Sequence, residues 1–206
     1  MKKYLAIAAL TVLATPVFAG DVYLVGSVGL SKVNIDTAAF DTALTNAGAV
    51  GVRSTTDDSD TGYKLQVGYK FNPNFAIEGG YIDFGKVSYS ATFTGGSANA
   101  SAKASGWNVD AVGILPINDA FSLFGKVGLI DAKVDVSVSA TGPGGSASGS
   151  ANTTKWRGTY GLGGTYDFTK NVGMRVEYER FSELGDSNNT GKSNVDLYSL
   201  GVVYKF

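Results

Sequence analysis

From Asp196 to Phe206 the chain reads DLYSLGVVYKF, with large apolar side chains at every second position: Tyr198, Leu200, Val202, Tyr204 and Phe206. Ser199, Gly201, Val203 and Lys205 occupy the positions between. Alternation with period 2 predicts a β-strand with two unlike faces. The pattern recurs along the chain and predicts eight strands: Val22 to Lys32, Thr61 to Phe71, Phe75 to Lys86, Gly106 to Pro116, Phe121 to Lys133, Trp156 to Phe168, Val172 to Phe181 and Asn194 to Phe206. In VGMRVEYERF, Val172, Met174, Val176 and Tyr178 alternate with Gly173, Arg175, Glu177 and Glu179. Tyr63, Leu65, Val67, Tyr69 and Phe71 alternate in the same way with Lys64, Gln66, Gly68 and Lys70. The first segment, VYLVGSVGLSK, is apolar on both faces, so its inward and outward phase stays open.

The connections carry a second pattern. NPN (Asn72 to Asn74), IND (Ile117 to Asp119) and TKN (Thr169 to Asn171) are tight turns. They alternate with long connections near residues 33–60, 87–105, 134–155 and 182–193. Strict alternation puts both ends of the sheet on the short-turn side of an up-and-down antiparallel arrangement, and an even strand number lets it close.

A soluble barrel keeps its apolar face inward, whereas a membrane barrel turns it to lipid. The heights of the aromatics decide between them. Tyr63, Tyr81, Trp107, Tyr160, Tyr178 and Tyr198 fall near the long-loop ends of the apolar faces, and Phe71, Phe75, Phe121, Phe168, Tyr204 and Phe206 near the short-turn ends. Aliphatic residues such as Leu65, Val127, Leu162 and Val202 lie between. Two aromatic girdles around an aliphatic band are the signature of a transmembrane barrel. Facing Arg175 to lipid near the midplane would cost about 2–4 kcal/mol. Arg175, Glu177 and Glu179 are therefore expected inside, with Lys64, Lys70, Glu78, Asp110, Lys126, Arg157, Asp167 and Lys205.

Composition narrows the function. The opening MKKYLAIAALTVLATPVFAG has Lys2 and Lys3, a short apolar run and small residues before a cleavage point, so residues 1–19 are expected to be a signal peptide and 20–206 a barrel domain. There is no Cys, which excludes a lipidated cysteine anchor and disulfides. There is no His, which removes the commonest general base and metal ligand. A net charge of −1 argues against a nucleic-acid partner.

Three stretches invite a chemical reading. Glu177 and Glu179 share a strand face, as a catalytic pair could, but an ion-pair network with Arg175 explains them without a reaction. DDSD at Asp57 to Asp60 has carboxylates but not the spacing of a calcium loop. GLGG at Gly161 to Gly164 lies in a strand pattern with no following helix, so small residues in a crowded barrel wall explain it. No enzyme activity, cofactor or metal site is expected.

The long connections have structure of their own. DTAAFDTALTNAG predicts a short helix, capped by Asp36, with Phe40 and Leu44 on one face and a stop at Gly48. SATFTGGSANAS and SATGPGGSASGS are predicted to be the tips of protruding hairpins, because alternation continues into them at Val87, Tyr89, Ala91 and Phe93 and at Val134, Val136, Val138 and Ala140. Along the fifth segment the outward positions change from Phe121, Leu123, Val127 and Leu129 to Asp131, Lys133 and Asp135, so lipid contact ends near Asp131. Val134, Val136 and Val138 with Ala98, Ala100, Ala102 and Ala104 are expected to form a small apolar cap over the lumen, with a hairpin edge open to an external strand.

SDTGYKLQVGYKFNPNFAIEGGYIDFGKVSY, ILPINDAFSLFGKVGLIDAKV, YGLGGTYDFTKNVGMRVEYERF and LYSLGVVYKF resemble successive strands of the OmpA-like eight-stranded outer-membrane barrel family. The resemblance implies insertion into the bacterial outer membrane, contact with its lipid and lipopolysaccharide, a monomer, and short turns toward the periplasm. It implies delivery by the barrel assembly machinery, for which Tyr204 and Phe206 would be the C-terminal signal. It also implies a gate-like lumenal ion-pair network, and Glu78, Lys126, Arg175 and Glu177 stand where its members would be. Ending at Phe206 departs from the two-domain members, so cell-wall tethering is not expected. The expected function is a structural and surface-interaction role through the extracellular loops; the alternative is a narrow low-conductance channel for small solutes or ions.

Overall fold

The structure is a computed structural model that describes residues 21–35 and 37–206. The expected signal peptide and the expected helix cap at Asp36 lie outside the described residues. The elements are β1 (Asp21–Val33), α1 (Thr37–Asn46), β2 (Arg53–Asp57), β3 (Ser59–Asn72), β4 (Phe75–Phe93), β5 (Gly96–Pro116), β6 (Phe121–Gly142), β7 (Gly145–Asp167), β8 (Val172–Asp186) and β9 (Gly191–Lys205).

Eight of the nine strands form a closed ring. Neighbours in sequence pair antiparallel from β3 to β9, and β1 pairs with both β3 and β9. The closing ladder runs from Tyr23 opposite Lys205 to Val33 opposite Val195. The ambiguous first strand turns Tyr23, Val25, Ser27 and Ser31 inward, where they are buried, and leaves Val28 and Leu30 exposed. No helix among the described residues is long and apolar enough to cross a membrane.

The outward positions form a continuous apolar belt that includes Leu65, Val67, Val127, Leu162, Val176, Leu200 and Val202, each more than half exposed to solvent. A belt of that extent needs lipid to cover it.

Past the belt, β4 to β7 run on as two long hairpins that close through Thr94–Gly95 and Pro143–Gly144, as the continued alternation predicts. The short helix is present, and Gly48 ends it at φ +94. Two features differ from expectation. β2 stands outside the ring and pairs with β4 alone, from Arg53 opposite Thr92 to Asp57 opposite Ser88, so that upper hairpin edge is covered. The open edge lies instead on β7, which pairs with β8 only from Thr159 to Asp167. Ladder pairing stops at the register shift in β8 between Phe181 and Leu184, at Glu183 with φ 50, and β8 ends at Asp186 while β7 extends to Gly145 in its hairpin with β6.

A matching shift lies in β4 between Asp83 and Lys86, where Gly85 has φ +77. Asp60 accepts the Lys86 amide at 2.7 Å and Asp83 accepts the Gly85 amide at 2.9 Å, and a Cβ on Gly85 would collide with the Asp60 carboxyl. One extra residue reverses the face on which the following residues lie. Both Phe84 before the shift and Val87 after it therefore point inward, as do Phe181 and Leu184.

An apolar cluster fills the outer half of the barrel: Ile82, Phe84, Ile130, Phe181 and Leu197 at its centre with Val134 and Val195, to which the shift in β8 adds Leu184. Phe84 and Phe181 meet edge to face at 4.7 Å. The expected alanine and valine cap is part of it at Ala104, Val134 and Val136, whereas Val138 is exposed. A second apolar group, Val25, Ala76, Val112, Phe124 and Val203, faces inward toward the short-turn end, so the buried charges occupy the middle of the lumen. We expect Phe84→Ala to lower stability by about 3–5 kcal/mol, read by urea unfolding of the refolded barrel in lipid vesicles; a loss below about 1 kcal/mol would show that the cluster is not packed.

Candidate functional site

The seven charged side chains buried among the described residues all point into the lumen: Lys64 from β3, Glu78 from β4, Asp110 from β5, Lys126 from β6, and Arg175, Glu177 and Glu179 from β8. The strand register makes room for them. Directly across from Glu78 stands Gly68, across from Asp110 Gly128, across from Lys126 and Glu179 Gly161, across from Glu177 Gly163, and across from Arg175 Gly201. A Cβ on Gly128 would strike Asp110, and one on Gly161 would strike Glu179. The GLGG stretch is part of this spacing, since Gly163 also leaves space for the Phe124 ring.

Lys126 is the centre. Its Nζ lies 2.5 Å from Glu177, 2.7 Å from Glu179, 3.6 Å from Glu78 and 3.8 Å from Asp110. Lys64 donates to both Glu177 and Glu179. Arg175 donates to Glu78 Oε1 at 2.6 Å, and its guanidinium lies 3.9 Å from the centre of the Phe124 ring. The four residues placed together by family resemblance, Glu78, Lys126, Arg175 and Glu177, therefore meet in one network. Sequence reasoning missed Tyr23, whose hydroxyl donates to Glu78 Oε1 at 2.7 Å. Its signal was hidden because β1 is apolar on both faces; an inward Tyr23 opposite Gly68 fits the same spacing.

Four carboxylates face three cations here, and the pairing is uneven. Asp110 is the weakest partner: its ion pair with Lys126 is long, and its remaining contacts are the amides of Asn108 and Gln66. No group in the set is placed as a nucleophile beside a base. Beneath the network a vestibule of about 520 Å³ opens to the short-turn side, lined by Lys70, Phe124, Asp167, Arg175 and Lys205. Lys205 and Asp167 pair there at 2.5 Å.

Among the expected girdle residues Tyr63, Tyr81, Trp107, Tyr160 and Tyr198 are exposed on the outer face, and Tyr178 is half-buried with its hydroxyl on Asp196 at 2.8 Å. Trp156, left out of that set, is exposed too; Asp131 lies opposite both it and Trp107. Above this level the outward pairs are charged: Arg180 with Asp196, Lys103 with Asp83, and Lys133 with Asp135. At the other end Tyr204 and Phe206 are exposed, their rings 5.1 Å apart, and the Phe206 amide donates to Val22. Asp60, from the acidic DDSD stretch, accepts backbone amides rather than forming part of an acidic cluster.

A closed ring of eight strands, apolar outside and charged within, defines a transmembrane β-barrel. Residues 18–206 match the OmpA-like transmembrane domain, and the chain belongs to that family, whose place is the bacterial outer membrane. It is 28% identical to Outer membrane protein A of Shigella flexneri over 162 residues, which cover 78% of this chain and 44% of that protein. It is 25% identical to Outer membrane protein A of Klebsiella aerogenes over 185 residues, 89% of this chain and 48% of that one. The chain thus spans less than half the length of these relatives. Its fold is that of Ail, the attachment invasion locus protein of Yersinia pestis, with a TM-score of 0.53 and 20% identity over 91% of this chain and 99% of Ail.

The uneven pairing yields opposite outcomes for two isosteric changes. Glu177→Gln strips a shared partner from Lys64 and Lys126 and is expected to cost about 3–5 kcal/mol. Asp110→Asn removes the surplus charge and is expected to leave stability unchanged or raise it. Equilibrium urea unfolding of both variants checks this, and equal losses would contradict the assignment of Asp110 as the weakly paired group.

Proposed function

We propose that the protein is a closed structural barrel of the outer membrane whose extracellular hairpins carry its surface interactions. The observation that carries this reading is the double occlusion of the lumen: a charged network across its middle and an apolar cluster above it. An eight-stranded ring leaves an interior that side chains nearly fill. Opening it would require both breaking several buried ion pairs and displacing Phe84 and Phe181. The hairpins, by contrast, stand on a rigid scaffold beyond the lipid, which is where recognition surfaces are ordinarily displayed.

The charged outward pairs above the girdle, Arg180 with Asp196 and Lys133 with Asp135, suit contact with lipopolysaccharide headgroups. Tyr204 and Phe206 serve, in this reading, as the signal read by the assembly machinery. The protein acts as a monomer, with no catalytic role. A narrow channel for small solutes is the second reading, favoured by the vestibule that reaches Arg175 from the periplasmic side.

One experiment separates them. A strain lacking the gene is complemented with the full chain, with Glu78→Gln plus Arg175→Met, or with a chain whose hairpins are cut between Ser88 and Ser101 and between Val136 and Ala151. Envelope integrity, surface adherence and small-solute uptake are measured side by side. We expect the hairpin-trimmed chain to restore integrity but not adherence, and the network variant to leave uptake unchanged. Uptake that follows the network variant would favour the channel.

A further inference from the structure

The outer end of the lumen holds a largely apolar cavity of about 290 Å³, apart from the charged network. Phe84, Val134 and Leu184 of the apolar cluster line one side of it, and Ala100, Ala102 and Val136 line another. The third side is Phe40 of α1. That helix is held at its edge: Tyr89 donates to Asp41 Oδ1 at 2.5 Å, Ser54 donates to Asp41 Oδ2 at 2.9 Å, and the Phe40 ring stacks on Tyr89 at 5.2 Å. Yet no residue of α1 is buried. Its ten residues are fewer than an isolated helix needs to persist in water. A short helix is thus fastened over an apolar hollow that it does not fill.

The lining sets the chemistry of an occupant. Among the described residues no carboxylate lines the cavity, and the one charged lining residue, Lys192, is paired with Glu183 at 2.9 Å. The Ser193 hydroxyl, which donates to the Asn34 carbonyl at 2.7 Å and keeps its acceptor free, supplies a polar position. Largely apolar walls with a few hydrogen-bonding groups are the usual make-up of a small-molecule site. A charged head would have to leave water with no free counter-charge to meet it. For size, a dry cavity of about 150 Å³ holds benzene, so this one suits roughly ten non-hydrogen atoms.

We propose that this cavity binds a small uncharged amphiphile, an alkyl or aryl group with one hydroxyl or carbonyl, taken up from the extracellular side beneath α1. The site is separate from the charged network, and its occupancy requires no opening of the lumen. Filling it adds apolar contact to α1 beyond the Phe40–Tyr89 stack, so binding orders the helix.

The test uses the full refolded barrel in lipid nanodiscs with 1-octanol as probe and methyl and amide NMR as readout. We expect saturable shifts at Val87, Val134, Val136 and Leu184, slower amide exchange across α1, and only linear, partition-type shifts at the lipid-facing Leu65, Val127 and Leu200. Ala102→Phe, which fills the cavity, should weaken the saturable response by about tenfold or more; Ala100→Leu serves where that variant does not refold. Octanoate should bind about tenfold more weakly than octanol. Lumenal methyls that follow the same linear course as the lipid-facing ones, or a curve that cavity-filling leaves unchanged, would overturn the site. Octanoate binding as tightly as octanol would overturn the uncharged class of ligand.

Discussion

The ladder between β1 and β9 is the interaction on which the rest depends. Hydrocarbon offers no water to an unpaired amide or carbonyl, each of which would cost several kcal/mol, so a sheet that crosses it must have no edge. Pairing Tyr23 through Val33 with Lys205 through Val195 removes the last two edges. Once the ring is shut, every strand residue faces either lipid or lumen. The period of the sequence then decides which side chain goes where, and all seven buried charges are forced into one narrow space.

That crowding has a register built into it. The cross-strand glycines at 68, 128, 161, 163 and 201 stand opposite charged lumenal residues, so the network assembles only when each strand is in its proper alignment. A slip of one residue would turn Arg175 or Lys126 to lipid at about 2–4 kcal/mol each. The buried ions themselves recover little of their desolvation cost, and their clearer effect is to penalise every wrong alignment. Specificity of register and occlusion of the lumen thus come from the same residues.

Much of this was legible in the sequence. Strong alternation in β3, β8 and β9 identified both faces, because Tyr, Leu and Val contrast there with Lys, Arg and Glu. Phe40, Leu44 and Gly48 marked α1. What escaped were features whose residues carry no contrast or whose meaning depends on distant partners. β1 mixes Val, Gly and Ser on both faces, so Tyr23 could not be assigned to the lumen until Gly68 and Glu78 were beside it. The five residues of β2, RSTTD, are too short and polar to announce a strand. The register shifts at Gly85 and Glu183 reverse the alternation after them, which hid Leu184 as an inward residue; Phe84 and Phe181 keep the inward phase of Glu78 and Glu179, but as apolar side chains they carry no contrast with the lipid-facing set.

The central claim is that β9 presents one face to lipid and the other to an occluded lumen. A spin label placed in turn at each position from Leu197 to Tyr204 of the barrel in bilayers, with oxygen as the lipid-soluble relaxant and a nickel chelate as the aqueous one, tests it most directly. High oxygen collision rates are expected at Tyr198, Leu200, Val202 and Tyr204, and low rates for both relaxants at Leu197, Ser199, Gly201 and Val203. Nickel accessibility at Ser199 and Gly201 would mean a water-filled pore, and oxygen accessibility without period 2 would contradict the barrel orientation itself.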